Sequence, residues 1–126
     1  MPVELVWQQP NGLIKRHFDH VTGKEIFDAN SLAESDARFD SLKYVINDFL
    51  GCTGLSVSHD EIEEIAAVDN AAAKSNPNIR IAIVATNPEV LAATDFYAKH
   101  PLSMFTIRIF SAMDEACRWL GVSGCV

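Results

Sequence analysis

The sequence has little of several things, and each shortage excludes a class of protein. Cysteine is sparse: Cys52, Cys117 and Cys125 are the three in 126 residues. They share no CxxC or other metal-ligand spacing, so independent thiols in a reducing compartment, without a structural disulfide, are expected. No apolar run approaches the ~20 residues that a membrane span requires. The N-terminal MPVELVWQQ lacks a basic stretch followed by an apolar one, so a secretory signal is not expected there. Positive charge is also scarce, with 10 basic residues against 17 acidic and a formal net charge of −7. That balance disfavours nucleic acid and anionic membrane surfaces as partners. The one basic cluster is Lys15-Arg16-His17, with His20 nearby, and strand alternation makes it a solvated edge.

Catalytic signatures are missing as well. There is no GxSxG elbow, Walker loop or dinucleotide fingerprint. His17, His20, His59 and His100 form no HExxH or paired-ligand pattern. No catalytic residue, metal or cofactor is therefore expected.

What is present is an ordinary globular composition, 48% hydrophobic, enough for one packed domain over residues 1–126. A soluble cytoplasmic protein is the expectation. Val3 to Gln8 and Leu13 to Phe18 alternate as strands around Gln9-Pro10-Asn11-Gly12, a turn in which Asn-Gly supplies positive φ. Thr22 and Glu25 form a capping box that opens a helix running to about Arg38. Tyr44 to Phe49 is a nearly continuous apolar strand, covered on both faces. A loop of small and hydroxyl residues follows it, and Ser58 with Glu61 forms a second capping box, with Asp60 at the positive helix end.

That second helix carries Ile62, Ile65, Ala66, Ala72 and Ala73 on one stripe and stops before Asn76-Pro77-Asn78. Ile79 to Thr86 is a second buried strand, and Asn87-Pro88 starts a third helix, which ends at His100-Pro101. Met104 to Phe110 is a last, less covered strand. Ser111 and Asp114 are expected to cap a final helix whose apolar stripe includes Cys117 and which ends at Gly121. The order is ββαβαβαβα, an α/β fold with four helices. Its mixed sheet has an N-terminal antiparallel hairpin and a mostly parallel remainder.

Sites in open α/β sheets form beyond the carboxyl ends of strands, which points to the stretch Leu42 to Ala73. Asp48 ends its strand and suits an Asx hydrogen bond to the loop backbone, or a ligand hydroxyl. Ser58 is first of all an N-cap. Asp69 falls, at 100° per residue, within the apolar stripe of the second helix. A carboxylate there must be paired or protonated unless the helix turns it to the rim, and Arg80 and Arg108 are the candidate partners.

RFDSLKYVINDF, IEEIAAVDNAAAKSNPNIRIAIVATN and IFSAMDEACRWLG resemble the small SpoIIAA-like proteins of the STAS (sulphate-transporter and anti-sigma-factor-antagonist) and Sec14-like group. The resemblance spans most of the chain after Ala37. It implies a non-enzymatic regulatory or protein-binding module, with a kinase or an anti-sigma-like regulator as partner. It also implies a switch loop in which Ser58, Ser56 and Thr53 are the candidate phosphoacceptors. A phosphate there would meet free helix N–H groups. The chain lacks the family's Asp-Ser pair and Gly, and Asp60, Glu61, Glu63 and Glu64 would repel a phosphate.

The Sec14-like side implies the alternative of a small apolar ligand or lipid, with Phe96, Tyr97, Phe105, Phe110 and Trp119 lining a pocket. An uncharacterised enzyme using Asp48 or Asp69 as acid or base is more distant. A homodimer through the hairpin edge or the last strand is a further expectation.

Overall fold

The computed structural model describes residues 2–100 and 105–122. Five strands, β1 Val3–Gln8, β2 Gly12–Thr22, β3 Tyr44–Ser56, β4 Arg80–Val84 and β5 Thr106–Phe110, form one sheet in sequential order. β1 and β2 are antiparallel, and every later neighbour is parallel. The helices are α1 Gly23–Glu34, α2 His59–Ala73, α3 Pro88–Ala98 and α4 Met113–Leu120. The expected order and strand directions hold. The end of α3 at Pro101, the start of the last strand at Met104, and Cys125 lie outside the described residues.

Parallel crossovers place the helices on both faces of the sheet. On one face Leu13, Val45, Ile81 and Ile83 pack with Ala29 and Ala33 of α1 and Val90 of α3. On the other, Ile14, Tyr44, Ile46, Ala82 and Val84 pack with Ala116 and Leu120 of α4. Both expected capping boxes are formed: Thr22 with Glu25, and Ser58 with Glu61.

Several boundaries differ from expectation for identifiable reasons. The α1 helix ends at Glu34, because Asp36 caps a separate 3-10 turn at Ala37–Ser41 by accepting from Arg38 N. The residues expected as a loop after Phe49 are strand. Phe18 to Thr22 of β2 pairs with Gly51 to Ser56, with two irregularities and Asp19 at φ 54 absorbing the extra residues. Cross-strand pairing has overridden a composition of Gly, Thr and Ser.

Two smaller expectations are also corrected. Gly12 has no positive φ; it is required because a Cβ would lie 2.1 Å from the Tyr44 ring. The N-cap of α4 is Ala112, which makes no side-chain cap. Ser111 lies one residue too early and its hydroxyl reaches Glu115 instead.

The basic cluster is not a solvated edge. β2 lies inside the sheet between β1 and β3, and Lys15 and His17 are both buried. Cys117 is disulfide-bonded, which corrects the expectation of independent thiols; the three cysteines follow no motif spacing from which a bond could be read. Cys52 is a free, buried thiol whose pKa is pushed up by burial.

Candidate functional site

Strand alternation sends Lys15 from β2 to the face that carries Leu13, Val45 and Ile83, underneath α1, α2 and α3. Its ammonium stem is 8% exposed. Nζ donates to Asn30 Oδ1 of α1 at 2.7 Å. Burial lowers its pKa, while the charges of Asp69 and Glu34 act to raise it.

Asp69 reaches the same place from α2. The helical stripe places it inward, with Ile62, Ile65, Ala66 and Ala73, and it is 7% exposed. The Tyr97 hydroxyl of α3 donates to Asp69 Oδ2 at 2.5 Å, and Asp69 Oδ1 has no N–H or hydroxyl donor. Glu34, the last residue of α1, is pushed up to about 9 by burial and by its hydrogen bond to Asp69. Burial and the neighbouring charge of Asp69 therefore favour the uncharged form of Glu34 near neutral pH. The Tyr97 phenol is raised well above its usual value by burial and stays a donor.

The expected partners of Asp69 are not its partners. Arg80 and Arg108 alternate to the opposite face, where both guanidiniums lie over the Trp119 ring. Arg80 also donates to the Trp119 carbonyl.

Lys15, Asn30, Asn47, Asp69, Thr94 and Tyr97 supply the polar lining of a cavity of about 80 Å³. The rest of its wall is apolar and includes Phe49, Leu55, Ile62, Ile65, Ile81 and Ile83. Its half-exposed members Ile26, Leu55, Val57 and Ala93 place the mouth between α1, the end of β3 and α3. That is the carboxyl end of a parallel strand.

Of the five aromatics expected to line a pocket, Tyr97 lines this cavity, and Phe96 lines a separate surface pocket with His59 and His100. Phe96 stacks on His59, with ring centroids 4.1 Å apart. Phe110 and Trp119 lie on the α4 face, and Phe105 packs into the core beside β5.

The remaining candidates do not converge on the cavity. Asp48 pairs in register with Arg16, and its Oδ1 accepts from Leu50 N at 2.9 Å in the expected Asx bond. It projects from the opposite face to Asn47, so Asp48 and Asp69 are not one site. Ser58 Oγ accepts from Glu61 N as an N-cap. Ser56 Oγ lies 2.8 Å from His20 Nε2, and Thr53 is an exposed strand residue. No three His, Cys, Asp or Glu side chains among the described residues are placed to hold a metal ion.

Sequence reasoning missed Lys15, Asn30 and Glu34. The signal available for Lys15 was its place between Leu13 and His17 on one face of β2. An edge position for β2 would leave that side chain wet, whereas β2 lies between β1 and β3.

No protein-family model and no curated protein matches this chain. Solved structures do. One is an anti-sigma factor antagonist, SpoIIAA, in its unphosphorylated form, with TM-score 0.64 and 10% identity over 95% of this chain and 99% of that one. Another is an uncharacterized protein of the DUF3478 family with a SpoIIAA-like fold, from Shewanella loihica PV-4. Its TM-score is 0.52, with 15% identity over 94% of this chain and 91% of that one. The chain has the SpoIIAA-like, STAS-type α/β fold.

Proposed function

We propose that this chain is a binding module for a small, largely apolar molecule that carries one polar group. The observation behind this reading is the burial of Lys15 and Asp69 in the lining of a largely apolar cavity. Burying ionisable groups costs free energy, and apolar side chains of similar volume would serve folding as well or better. A few convergent polar groups in an apolar concavity are what a ligand site requires. The ligand's polar end faces Lys15, Asn30 and Tyr97, and its apolar body lies against Ile62, Ile65 and Ile83.

Amide-resolved NMR titration with 2-butanol, butyramide and butyrate tests this. A saturable shift confined to Ile65, Ile83 and Thr94, abolished by Ile65→Trp, is expected for at least one neutral probe. Saturable shifts elsewhere only, or none, would overturn the reading.

A partner-protein role draws on the likeness to an anti-sigma factor antagonist and on the exposed hydroxyls of Thr53, Ser56 and Ser58. The Ser58 hydroxyl is already committed to its cap, and four carboxylates follow it in the first turns. The ligand reading has the firmer geometry.

A further inference from the structure

We propose that Lys15 captures a small aldehyde or ketone as an imine inside the cavity. The proposal rests on the ligand-binding reading and adds to it a covalent step and a ligand class.

The chain has five lysines, and Lys24, Lys43, Lys74 and Lys99 are all exposed. Lys15 alone is enclosed. Its Nζ donates one hydrogen bond, to Asn30 Oδ1, which an amine makes in either charge state. None of the ion pairs among the described residues includes it. The nearest acids are otherwise engaged: Glu34 favours its uncharged form, and Asp69 takes the Tyr97 hydroxyl at 2.5 Å. A lysine desolvated among apolar groups is poised as an amine nucleophile. Around it, Phe49, Ile65 and Ile83 offer a dry wall for the carbon skeleton of a carbonyl compound.

The chemistry balances without an oxidant or reductant. The lone pair of the uncharged Nζ amine forms a C–N bond to the carbonyl carbon, the C=O π electrons pass to oxygen, and one N–H proton leaves nitrogen as oxygen takes one up, giving a carbinolamine. The nitrogen lone pair then expels that oxygen, protonated again, as water. Loss of the remaining N–H proton leaves C=N. One amine and one carbonyl compound become one imine and one water. Asp69 lines the same cavity, and its Oδ1 has no hydrogen-bond partner among the described residues, so this carboxylate oxygen is the group placed to take the proton from nitrogen and return it to oxygen.

The cavity limits size. At roughly 10–15 Å³ per water-sized group, 80 Å³ holds about six heavy atoms. Short unbranched or singly branched carbonyl compounds fit wholly inside it.

The test uses the wild-type chain, incubated with 2-butanone or isobutyraldehyde and trapped with borohydride, then mapped by peptide mass spectrometry. The reduced adduct is expected on Lys15, at about tenfold or more over each exposed lysine, a margin that holding the carbonyl beside Nζ supplies. Lys15→Met should abolish the adduct. Tyr97→Phe, which keeps the ring but frees Asp69, should slow its formation. Labelling of the exposed lysines with Lys15 unmodified overturns the proposal, and this reading needs no variant to fold. Titration with 2-butanol separates the two levels. Cavity shifts with the alcohol but no adduct on Lys15 remove the imine and leave the ligand site; neither result removes both.

Discussion

Lys15 and Arg16 are neighbours on one strand, and the sheet sends them to opposite faces with opposite consequences. Arg16 is half-exposed in register with Asp48, on the face covered only by α4. Lys15 is buried beneath three helices, beside a carboxylate it does not ion-pair with. The α4 face is a conventional core, built from Ile14, Ile46, Ala82 and Val84. The other face has the same aliphatic lining but gives up part of it to Lys15, Asn30, Asp69 and Tyr97 around a cavity. One face is organised for packing. The other accepts a polar interior that packing does not need.

Substitution should break this comparison most sharply at the adjacent positions 14 and 15. Ile14→Ala removes a fully buried side chain, so a loss of about 2–5 kcal/mol is expected in urea unfolding. Replacing the polar pair by Lys15→Met with Asp69→Leu should instead be neutral, or stabilising by about 1–4 kcal/mol, because the desolvation cost goes with both groups. The same double variant should lose the cavity shifts seen with neutral probes. A loss as large as that of Ile14→Ala would make the two faces alike and the polar cluster structural.

Titration sharpens the comparison next, because buried His17 and half-buried Glu34 on the three-helix side have shifted pKa values of opposite consequence. His17 is stacked on Phe49, with ring centroids 3.9 Å apart, and burial lowers its pKa from 6.5 to about 4. Between those values the unfolded chain binds more protons than the folded one. His17 should therefore cost stability as pH falls from 6.5 to 4, by roughly 3 kcal/mol in total. Glu34 acts the other way. Its folded value of about 9 exceeds the unfolded 4.5, so the folded chain binds more protons and stability should decline as pH rises through that window. Chemical denaturation at intervals from pH 4 to 9 measures both, and Glu34→Gln should flatten the alkaline limb alone. An alkaline limb unchanged in Glu34→Gln would show that Glu34 ionises freely.

How much of this was legible depends on which contacts are local. The capping boxes at Thr22 and Ser58 involve residues three apart, and both are formed. Helical geometry put Asp69 on the apolar stripe of α2 but left open a rotation carrying it to the rim, and the structure buries it. Its partner was not legible, because the choice between Arg80 and Tyr97 depends on how α3 crosses α2 and on the parity of β4. The segment Leu50 to Ser56 read as loop because Gly and Ser carry weak strand preference, and only its pairing with the far end of β2 makes it strand. Lys15 was hidden by the same error: an interior β2 buries what an edge strand would leave wet. Asn76 shows a similar limit. It read as part of a helix stop, but its side chain also ties α2 to the 3-10 turn by donating to the Phe39 and Leu42 carbonyls, 2.9 Å each.

The smallest effect compares two tyrosines, half-buried Tyr97 and buried Tyr44, one from each face. The Tyr97 hydroxyl is the donor to Asp69 Oδ2. Tyr97→Phe removes it without changing the ring and leaves a buried carboxylate oxygen short of a partner, so a loss of about 1–3 kcal/mol is expected. Tyr44 is buried on the α4 face against Gly12, and its pKa is raised by burial with no hydrogen-bonding partner contributing. Tyr44→Phe deletes a hydroxyl that nothing depends on, and a change within about 0.5 kcal/mol is expected, as for substitutions away from such features. Equilibrium unfolding of the two variants under one set of conditions decides the matter. Equal costs would mean that the Tyr97–Asp69 bond adds nothing beyond ring packing. Unequal costs, with Tyr97 the larger, locate the energetic weight of the polar cluster where α3 meets α2.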